Sequence, residues 1–344
     1  MTTPEEAAAF GALPVGERAA GTSGALGTTE RPAAGEEAPA VHGELPVVLS
    51  PDGSRGRHAG APARHVEIVV HPDATAVADA TAARLLVRLI DLQSVRSPLH
   101  VVVTGGSLGI ATLRAVAASP VRDAVDWSGV HVWWGDERFV PADSPDRNER
   151  QAREALLDGL PIPAANVHAM PAEGAVPDED AAAVAYAHEL ARFSPLDDDV
   201  DDASPSGGVA PRDEATGASP HGPSGTPAQA RPAVPEFDVL LLGMGPDGHV
   251  ASLFPGHATV HVEGRTVVGE HDSPKPPPRR VSLTYPAIRA AREVWLVVAG
   301  EEKADAVAKA LSRAPVDQVP AAGAVGTERT LWLLDVAAAR GIPA

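Results

Sequence analysis

The chain has 344 residues, a formal net charge of -18 and no cysteine. The acidic balance argues against a nucleic-acid partner, and the lack of cysteine excludes disulfides, cysteine-based zinc sites, iron–sulfur clusters and thiol catalysis. With neither a secretory signal nor an apolar run long enough to span a bilayer, we expect a cytoplasmic protein without a membrane partner.

Two long segments differ in composition from the rest of the chain. Residues 1–63 are rich in Ala, Gly, Pro, Glu and Thr, and residues 197–235 in Asp, Ser, Pro and Gly. Neither has enough apolar surface to offset the entropy lost when a chain is ordered. We therefore predict a disordered tail, followed by one domain over 64–344 that is interrupted by a disordered insertion at 197–235.

Apolar strands and amphipathic helices alternate through this domain. A strand at 66–70 is followed by a helix that Asp73 can cap. The pattern predicts further strands at 99–103, 130–134, 166–170, 237–242, 294–299 and 331–334. It predicts further helices after Gly105-Gly106, through Ile110, Leu113 and Val116, and at 148–157, 178–193 and 301–312. Such alternation indicates an α/β fold with a doubly wound, mostly parallel sheet and helices on both faces. Ligands of such sheets bind at the carboxyl ends of the strands.

The first polar loop after a strand contains Gly105, Gly106 and Ser107. Glycines let the backbone turn sharply and approach a ligand closely, and the start of a helix offers free N–H groups to a phosphate. The loop matches neither a dinucleotide-binding fingerprint nor a Walker loop. The alternative interpretation is an ordinary tight turn in which Ser107 caps the helix.

A second polar group, Asp136-Glu137-Arg138, follows the strand at 130–134. Two carboxylates beside an arginine can bind sugar hydroxyls or transfer protons. A surface cluster of ion pairs is the alternative.

The third loop, Gly243–His249, holds three glycines and a proline, so it is constrained rather than flexible. It presents Asp247 and His249 two residues apart. A neutral imidazole is a competent base near neutral pH, and a nearby carboxylate can set its tautomer. A solvated surface histidine is the alternative, but the surrounding residues favour a base.

Two further segments carry positive charge. Lys303 lies in the first turn of a predicted helix, where the helix dipole disfavours a cation unless a phosphate binds there; a solvated lysine is the alternative. Residues 273–280 are stiff and basic. They are typical either of a Pro-rich interaction motif or of a rigid loop that delivers cations to a site.

These blocks, in this order, resemble the 6-phosphogluconolactonase family over about 64–196 and 236–340. The blocks that carry the resemblance are Thr104–Gly109, Val130–Pro141, Asn148–Asp158, Asn166–His168, Phe237–His257, Asp272–Ile288, Gly300–Lys303 and Trp332–Asp335. The family's fold is shared with glucosamine-6-phosphate deaminases and ribose-5-phosphate isomerases. One departure is Leu108, which stands where the family's loop usually has a threonine.

The resemblance implies hydrolysis of a sugar-phosphate lactone, 6-phospho-D-glucono-1,5-lactone, without a metal or an organic cofactor. It implies that His249 is the general base, oriented by Asp247, and that Asp136 and Arg138 line the site. It implies that Arg150 is a further neighbour of the substrate. It also implies that the phosphate is bound by loop and basic residues, namely Gly105, Gly106, Ser107, Arg280 and Lys303.

Two rival functions remain open at this point. An isomerase or deaminase of glucosamine 6-phosphate would share the fold and the Asp-Gly-His loop, whereas the Pro-rich loop and the block around Asp136 favour the lactonase. A non-catalytic sugar-phosphate sensor would use the same pocket, but sensors on this fold usually carry a DNA-binding domain, and the acidic tail does not provide one. The sequence does not determine the oligomeric state, and a monomer is plausible.

Overall fold

A computed structural model describes residues 65–195 and 231–342. The predicted disordered tail and most of the predicted insertion lie outside the described residues. Residues 231–235, which we assigned to the insertion, are described, and Val234 is only 2% exposed. The packed domain therefore resumes by Val234, slightly earlier than we predicted.

The described residues form nine strands and seven α-helices, besides short 3₁₀ turns. The strands are β1 (His65–His71), β2 (Leu99–Val103), β3 (Val130–Trp134), β4 (Asp136–Arg138), β5 (Val239–Leu242), β6 (Val267–Glu270), β7 (Arg280–Leu283), β8 (Glu293–Val298) and β9 (Arg329–Asp335). The helices are α1 (Ala74–Gln93), α2 (Gly106–Ala118), α3 (Asn148–Ala155), α4 (Glu179–Ala191), α5 (Tyr285–Ile288), α6 (Ala304–Leu311) and α7 (Val336–Ala339).

Six strands form one parallel sheet in the order β1-β9-β8-β5-β2-β3. Strands β2, β5 and β8 are buried along their whole length, as their continuous apolar runs predict. At the start of α1, the Asp73 carboxylate accepts a hydrogen bond from the N–H of Ala76 at 2.8 Å, so the predicted cap is present. The sheet is flanked by helices, which confirms the predicted α/β fold.

A second, antiparallel sheet has the order β4-β7-β6 and was not predicted. Its strands have only three or four residues, too few to show a period of two. Its register places Arg138 opposite Arg280 and Asp136 opposite Ser282. The small sheet therefore brings residues that are far apart in sequence to the same edge of the molecule.

The strand that we predicted at 166–170 is wrong. Residues 164–166 form a 3₁₀ turn, and Val167 makes only an isolated bridge with Val132 of β3. His168 extends from this bridge into a cluster of histidines near the amino ends of β2 and β3, away from the strand ends that carry the polar loops.

This cluster consists of His100, His131 and His168. The Nδ1 of His131 lies 2.8 Å from the Nε2 of His168, and the indole N–H of Trp133 donates to the Nδ1 of His100 at 3.1 Å. Burial lowers the pKa of all three imidazoles. The pKa of His100 falls to about 3 because burial is reinforced by the neighbouring histidines and Arg96. We therefore expect all three to be neutral in the folded protein at neutral pH.

We predict that His100 makes the protein sensitive to acid. The unfolded chain binds a proton at His100 near pH 6.5 and the folded chain only near pH 3, so the free energy of unfolding falls as the pH drops through this window. At about 1.4 kcal/mol per pKa unit, the loss is on the order of 4 kcal/mol. Thermal melts of the wild type and of His100→Asn, which keeps an acceptor for Trp133, measure it. An equally steep pH dependence in both proteins would contradict the prediction.

Candidate active site

A cavity of about 180 Å³ lies at the carboxyl ends of the parallel strands. A groove of about 1640 Å³ beside α4 is larger, but it does not contain the loops that the sequence indicated. The small cavity is lined by eight of the ten predicted site residues: Gly105, Gly106, Ser107, Asp136, Arg138, His249, Arg280 and Lys303.

The imidazole of His249 is held by the carboxylate of Asp247. The distance from Nδ1 to Oδ1 is 2.5 Å, and the backbone N–H of His249 also points to this oxygen at 3.4 Å. A side chain at Gly245 would overlap the His249 ring, so the tight loop requires glycine there. With its Nδ1 proton donated to Asp247, His249 has Nε2 free to accept a proton. Asp247 does not line the cavity but lies behind the imidazole.

Burial on its own raises the pKa of Asp247, but the hydrogen bond from His249 and the positive charge of Lys275 hold this pKa well below its usual range. The amine of Lys275 lies 3.6 Å from Asp247 Oδ1 and 3.3 Å from His249 Nδ1. The carboxylate therefore stays ionised and can stabilise an imidazolium. We did not assign Lys275 to the site from the sequence, although it lies in the Pro-rich segment for which delivery of cations to a site was one of two interpretations.

Arg280 lies at the end of the same segment and is 5% exposed. Its guanidinium donates to the carbonyl of Pro277 at 3.0 Å and to that of Lys275 at 2.8 Å. Arg280 thus shapes the loop that carries Lys275 while its own charge borders the cavity.

Asn148, the first residue of α3, joins two walls of the cavity. Its Oδ1 accepts a hydrogen bond from the guanidinium of Arg138, and its Nδ2 donates to the backbone carbonyl of Asp136 at 2.9 Å. The Asp136 carboxylate accepts a hydrogen bond from the Ser252 hydroxyl at 2.7 Å. A Cβ at Gly105 would overlap the Asn148 amide, so the glycine loop approaches α3 as closely as glycine allows. We did not predict Asn148 as a site residue, although it opens one of the blocks that carry the resemblance.

The glycine loop leads directly into α2. The N-cap residue is Gly105, which supplies no side-chain hydrogen bond, so the alternative in which Ser107 caps the helix is wrong. Gly106 has a φ of +78°, a conformation that favours glycine. The open N–H groups and the positive end of the helix dipole therefore border the cavity, where they suit an anion.

Lys303 ends a 3₁₀ turn over Glu301–Lys303, before α6 begins. Burial lowers the pKa of its amine, and the charge of Lys275 lowers it further, against the opposing effect of Glu302. Among the described residues, no carboxylate lies at ion-pair distance from this amine. A partly desolvated cation without an ion-pair partner suits an anionic ligand.

Arg150 is not part of the cavity. Its guanidinium pairs with Glu154 at 2.8 Å and donates to the backbone carbonyl of Asp143, on the exposed side of α3. Two helical residues after Asn148, it points away because each residue turns the helix by about 100°. The structure thus separates Arg150 from the nine other predicted site residues, which line the cavity or, as with Asp247, support it.

Within residues 65–195 and 231–342, no group of three or more His, Asp or Glu side chains is arranged to hold a metal ion. No helix in the same ranges has the length and apolar character needed to cross a membrane. The cavity gathers an imidazole–carboxylate pair, two arginines, a lysine and open helix N–H groups. The fold and the cavity are typical of α/β enzymes that bind small anionic substrates.

Comparisons with known proteins agree with this class. The model of the family described as glucosamine-6-phosphate isomerases/6-phosphogluconolactonase matches residues 72–332. A 6-phosphogluconolactonase of Streptomyces coelicolor is 52% identical, with 80% of this chain and 95% of that protein covered, and one of Mycobacterium leprae is 44% identical, with 80% and 98% covered. The solved structure of the Trypanosoma brucei 6-phosphogluconolactonase has a TM-score of 0.63 at 28% identity and covers 82% of this chain and all of that one. The chain belongs to this family, within the 6-phosphogluconolactonase branch, whose members are hydrolases.

Proposed function

We propose that the protein hydrolyses 6-phospho-D-glucono-1,5-lactone to 6-phospho-D-gluconate in the oxidative pentose phosphate pathway. The observation that carries this proposal is the His249–Asp247 pair, which opens onto a cavity with Arg138, Arg280 and Lys303 in its other walls. Relatives that cover most of the chain carry the name of this activity. The cytoplasmic location stays a prediction.

In the proposed reaction, Nε2 of His249 takes a proton from water, and the hydroxide oxygen attacks the lactone carbonyl carbon, C1. The carbonyl electrons move onto oxygen and form a tetrahedral oxyanion. We assign its stabilisation to backbone N–H groups of the loops, with Arg138 as a further donor. The C1–ring oxygen bond then breaks, and the imidazolium gives its proton to the departing ring oxygen. Asp247 stabilises the imidazolium between these steps.

The phosphate of the substrate is assigned to the glycine loop and to two cations that line the cavity. Gly105, Gly106 and Ser107 offer N–H groups at the start of α2, and Lys303 and Arg280 supply charge. Charge-assisted hydrogen bonds to phosphate are stronger than neutral ones. Leu108 lacks the hydroxyl of the family's usual threonine, so backbone N–H groups contribute a larger share of phosphate binding here. Anchoring the phosphate would orient C1 toward His249, which lowers the entropic part of the barrier.

A coupled assay tests the function. Freshly prepared lactone is mixed with the protein, and formation of 6-phosphogluconate is followed through its dehydrogenase, with spontaneous hydrolysis subtracted. Glucosamine 6-phosphate serves as a parallel substrate that a deaminase would consume. We expect turnover of the lactone alone, and turnover of glucosamine 6-phosphate alone would refute the proposal.

The same assay tests the prediction that no metal takes part. Dialysis against EDTA should leave the lactonase rate unchanged. The proposed base and cations are side chains of this chain, and the proposed oxyanion donors are its backbone N–H groups and Arg138. A rate that is lost on dialysis and restored by one divalent ion would show that a metal supplies the nucleophile or the oxyanion contact.

A further inference from the structure

The carboxylate of Glu137 lies beneath the cavity and does not line it. Its side chain is 1% exposed. One oxygen accepts the backbone N–H groups of Arg138 at 2.8 Å and Asn148 at 2.7 Å, and the other accepts the N–H of Glu149 at 2.9 Å. Three hydrogen bonds from backbone N–H groups fix the position of this fully buried carboxylate.

These hydrogen bonds satisfy backbone N–H groups at the start of α3. The first N–H groups of a helix have no partner within the helix, and the N-cap residue here, Arg147, supplies no side-chain hydrogen bond. Glu137 satisfies two of these groups from a different element, β4. Its negative charge also lies at the positive end of the helix dipole.

A buried charge needs compensation, and Arg147 supplies it. Its guanidinium is fully buried, with Nη2 at 3.7 Å from Glu137, 3.1 Å from Glu149 and 2.7 Å from the carbonyl of Met170. Burial still raises the pKa of Glu137, against the lowering effect of Arg147 and of the three backbone donors. Arg147 is therefore shared by two carboxylates, but only Glu137 binds backbone groups next to the cavity.

The residues held by Glu137 carry the wall of the cavity. Arg138 donates from its guanidinium to the side chain of Asn148, and both side chains line the cavity. Glu137 binds the backbone N–H of each of them, so one carboxylate sets the relative position of β4 and α3 at this wall.

We propose that Glu137 is a positioning residue, which holds Arg138 and Asn148 in the arrangement in which they meet the substrate. This inference rests on the lactonase function proposed above. Because the carboxylate touches neither the cavity nor any reacting atom, its effect on turnover must pass through these two side chains.

Glu137→Gln tests the proposal. The amide nitrogen cannot accept a hydrogen bond, so at least one of the three backbone donors loses its partner while side-chain volume is kept. We expect kcat/KM for the lactone to fall roughly 10–100-fold. The matched control is Glu149→Gln, which removes the other carboxylate beside Arg147 but leaves the three backbone bonds intact, and we expect it to keep wild-type kinetics. Melting curves establish that both variants are folded at the assay temperature.

A mutant cycle separates positioning from general structural damage. If Glu137 acts through Arg138 and Asn148, adding Glu137→Gln to a background that already carries Arg138→Ala and Asn148→Ala lowers kcat/KM by less than about 3-fold more, whereas the effects of independent structural damage multiply. Full multiplication, or equal kinetics in Glu137→Gln and Glu149→Gln, overturns the proposal. If Glu137→Gln does not fold, Glu137→Asp replaces it in the same cycle, and failure of both variants to fold shows that the residue is structural and also overturns it. A wild-type protein without lactonase activity instead refutes the proposed function.

Discussion

His249→Asn is expected to lower the rate of the chemical step by about 10²–10⁴-fold, the usual contribution of a general base. Asparagine keeps a hydrogen-bonding group of similar shape beside Asp247 but cannot take a proton from water. Single-turnover or steady-state rates measured with fresh lactone, after subtraction of spontaneous hydrolysis, give the size of the loss. Binding of 6-phosphogluconate, measured by calorimetry, should change little because the phosphate contacts remain.

Asp247→Asn is the control for the role of the pair. The carboxylate orients the imidazole and stabilises its charged form, but it does not exchange a proton with the substrate. Asp247→Asn should therefore lower the rate of the chemical step less than His249→Asn does. Near-normal turnover by His249→Asn above the spontaneous rate would remove the general base from the mechanism and leave the Gly243–His249 loop a structural feature.

Lys303→Ala is expected to raise KM for the phosphorylated lactone by about 10–100-fold, with a smaller change in kcat. The amine is partly desolvated and has no ion-pair partner among the described residues, so an anionic ligand gains from it without breaking an existing pair. Steady-state kinetics over a range of lactone concentrations separate the two constants.

Two controls accompany this variant. For D-glucono-1,5-lactone, which lacks the phosphate, Lys303→Ala should raise KM much less than it does for the phosphorylated substrate. Lys309→Ala removes an exposed lysine of α6 that pairs with Asp305 at 2.7 Å, and it should leave both constants unchanged. If Lys303→Ala slows both lactones equally, Lys303 supports the fold rather than the phosphate.

The main sheet was predictable because its central strands are buried on both faces. Val101–Val103 and Leu240–Leu242 show this as unbroken apolar runs, and the polar loops that follow them lie at the cavity, as the strand-end rule predicts. The ends of the helices were predicted only approximately. The helix expected at 301–312 is a 3₁₀ turn followed by α6, a distinction that depends on local hydrogen bonds rather than on composition.

The parts of the site that escaped prediction depend on contacts between distant segments. Lys275 lies beside His249, 26 residues away in sequence, and Arg280 binds a carbonyl of the loop that carries it. We interpreted Glu137 as one of two carboxylates that bind sugar hydroxyls or transfer protons, or as part of a surface cluster of ion pairs. It is instead buried, because the start of α3 supplies its donors. Arg150 lies away from the cavity for a different reason: a position within a matching block does not determine which side of a helix faces the cavity.

The close approach of Gly105 to Asn148 restricts how this enzyme can be altered by mutagenesis. A methyl group at position 105 occupies the space of the Asn148 amide, so a library that varies only position 105 should return glycine. Shortening Asn148 first, for example to serine, frees that space but gives up the bond to Arg138. The two positions are therefore expected to be epistatic, because a larger residue at 105 requires the Asn148 amide either to leave its hydrogen bond with Arg138 or to be replaced.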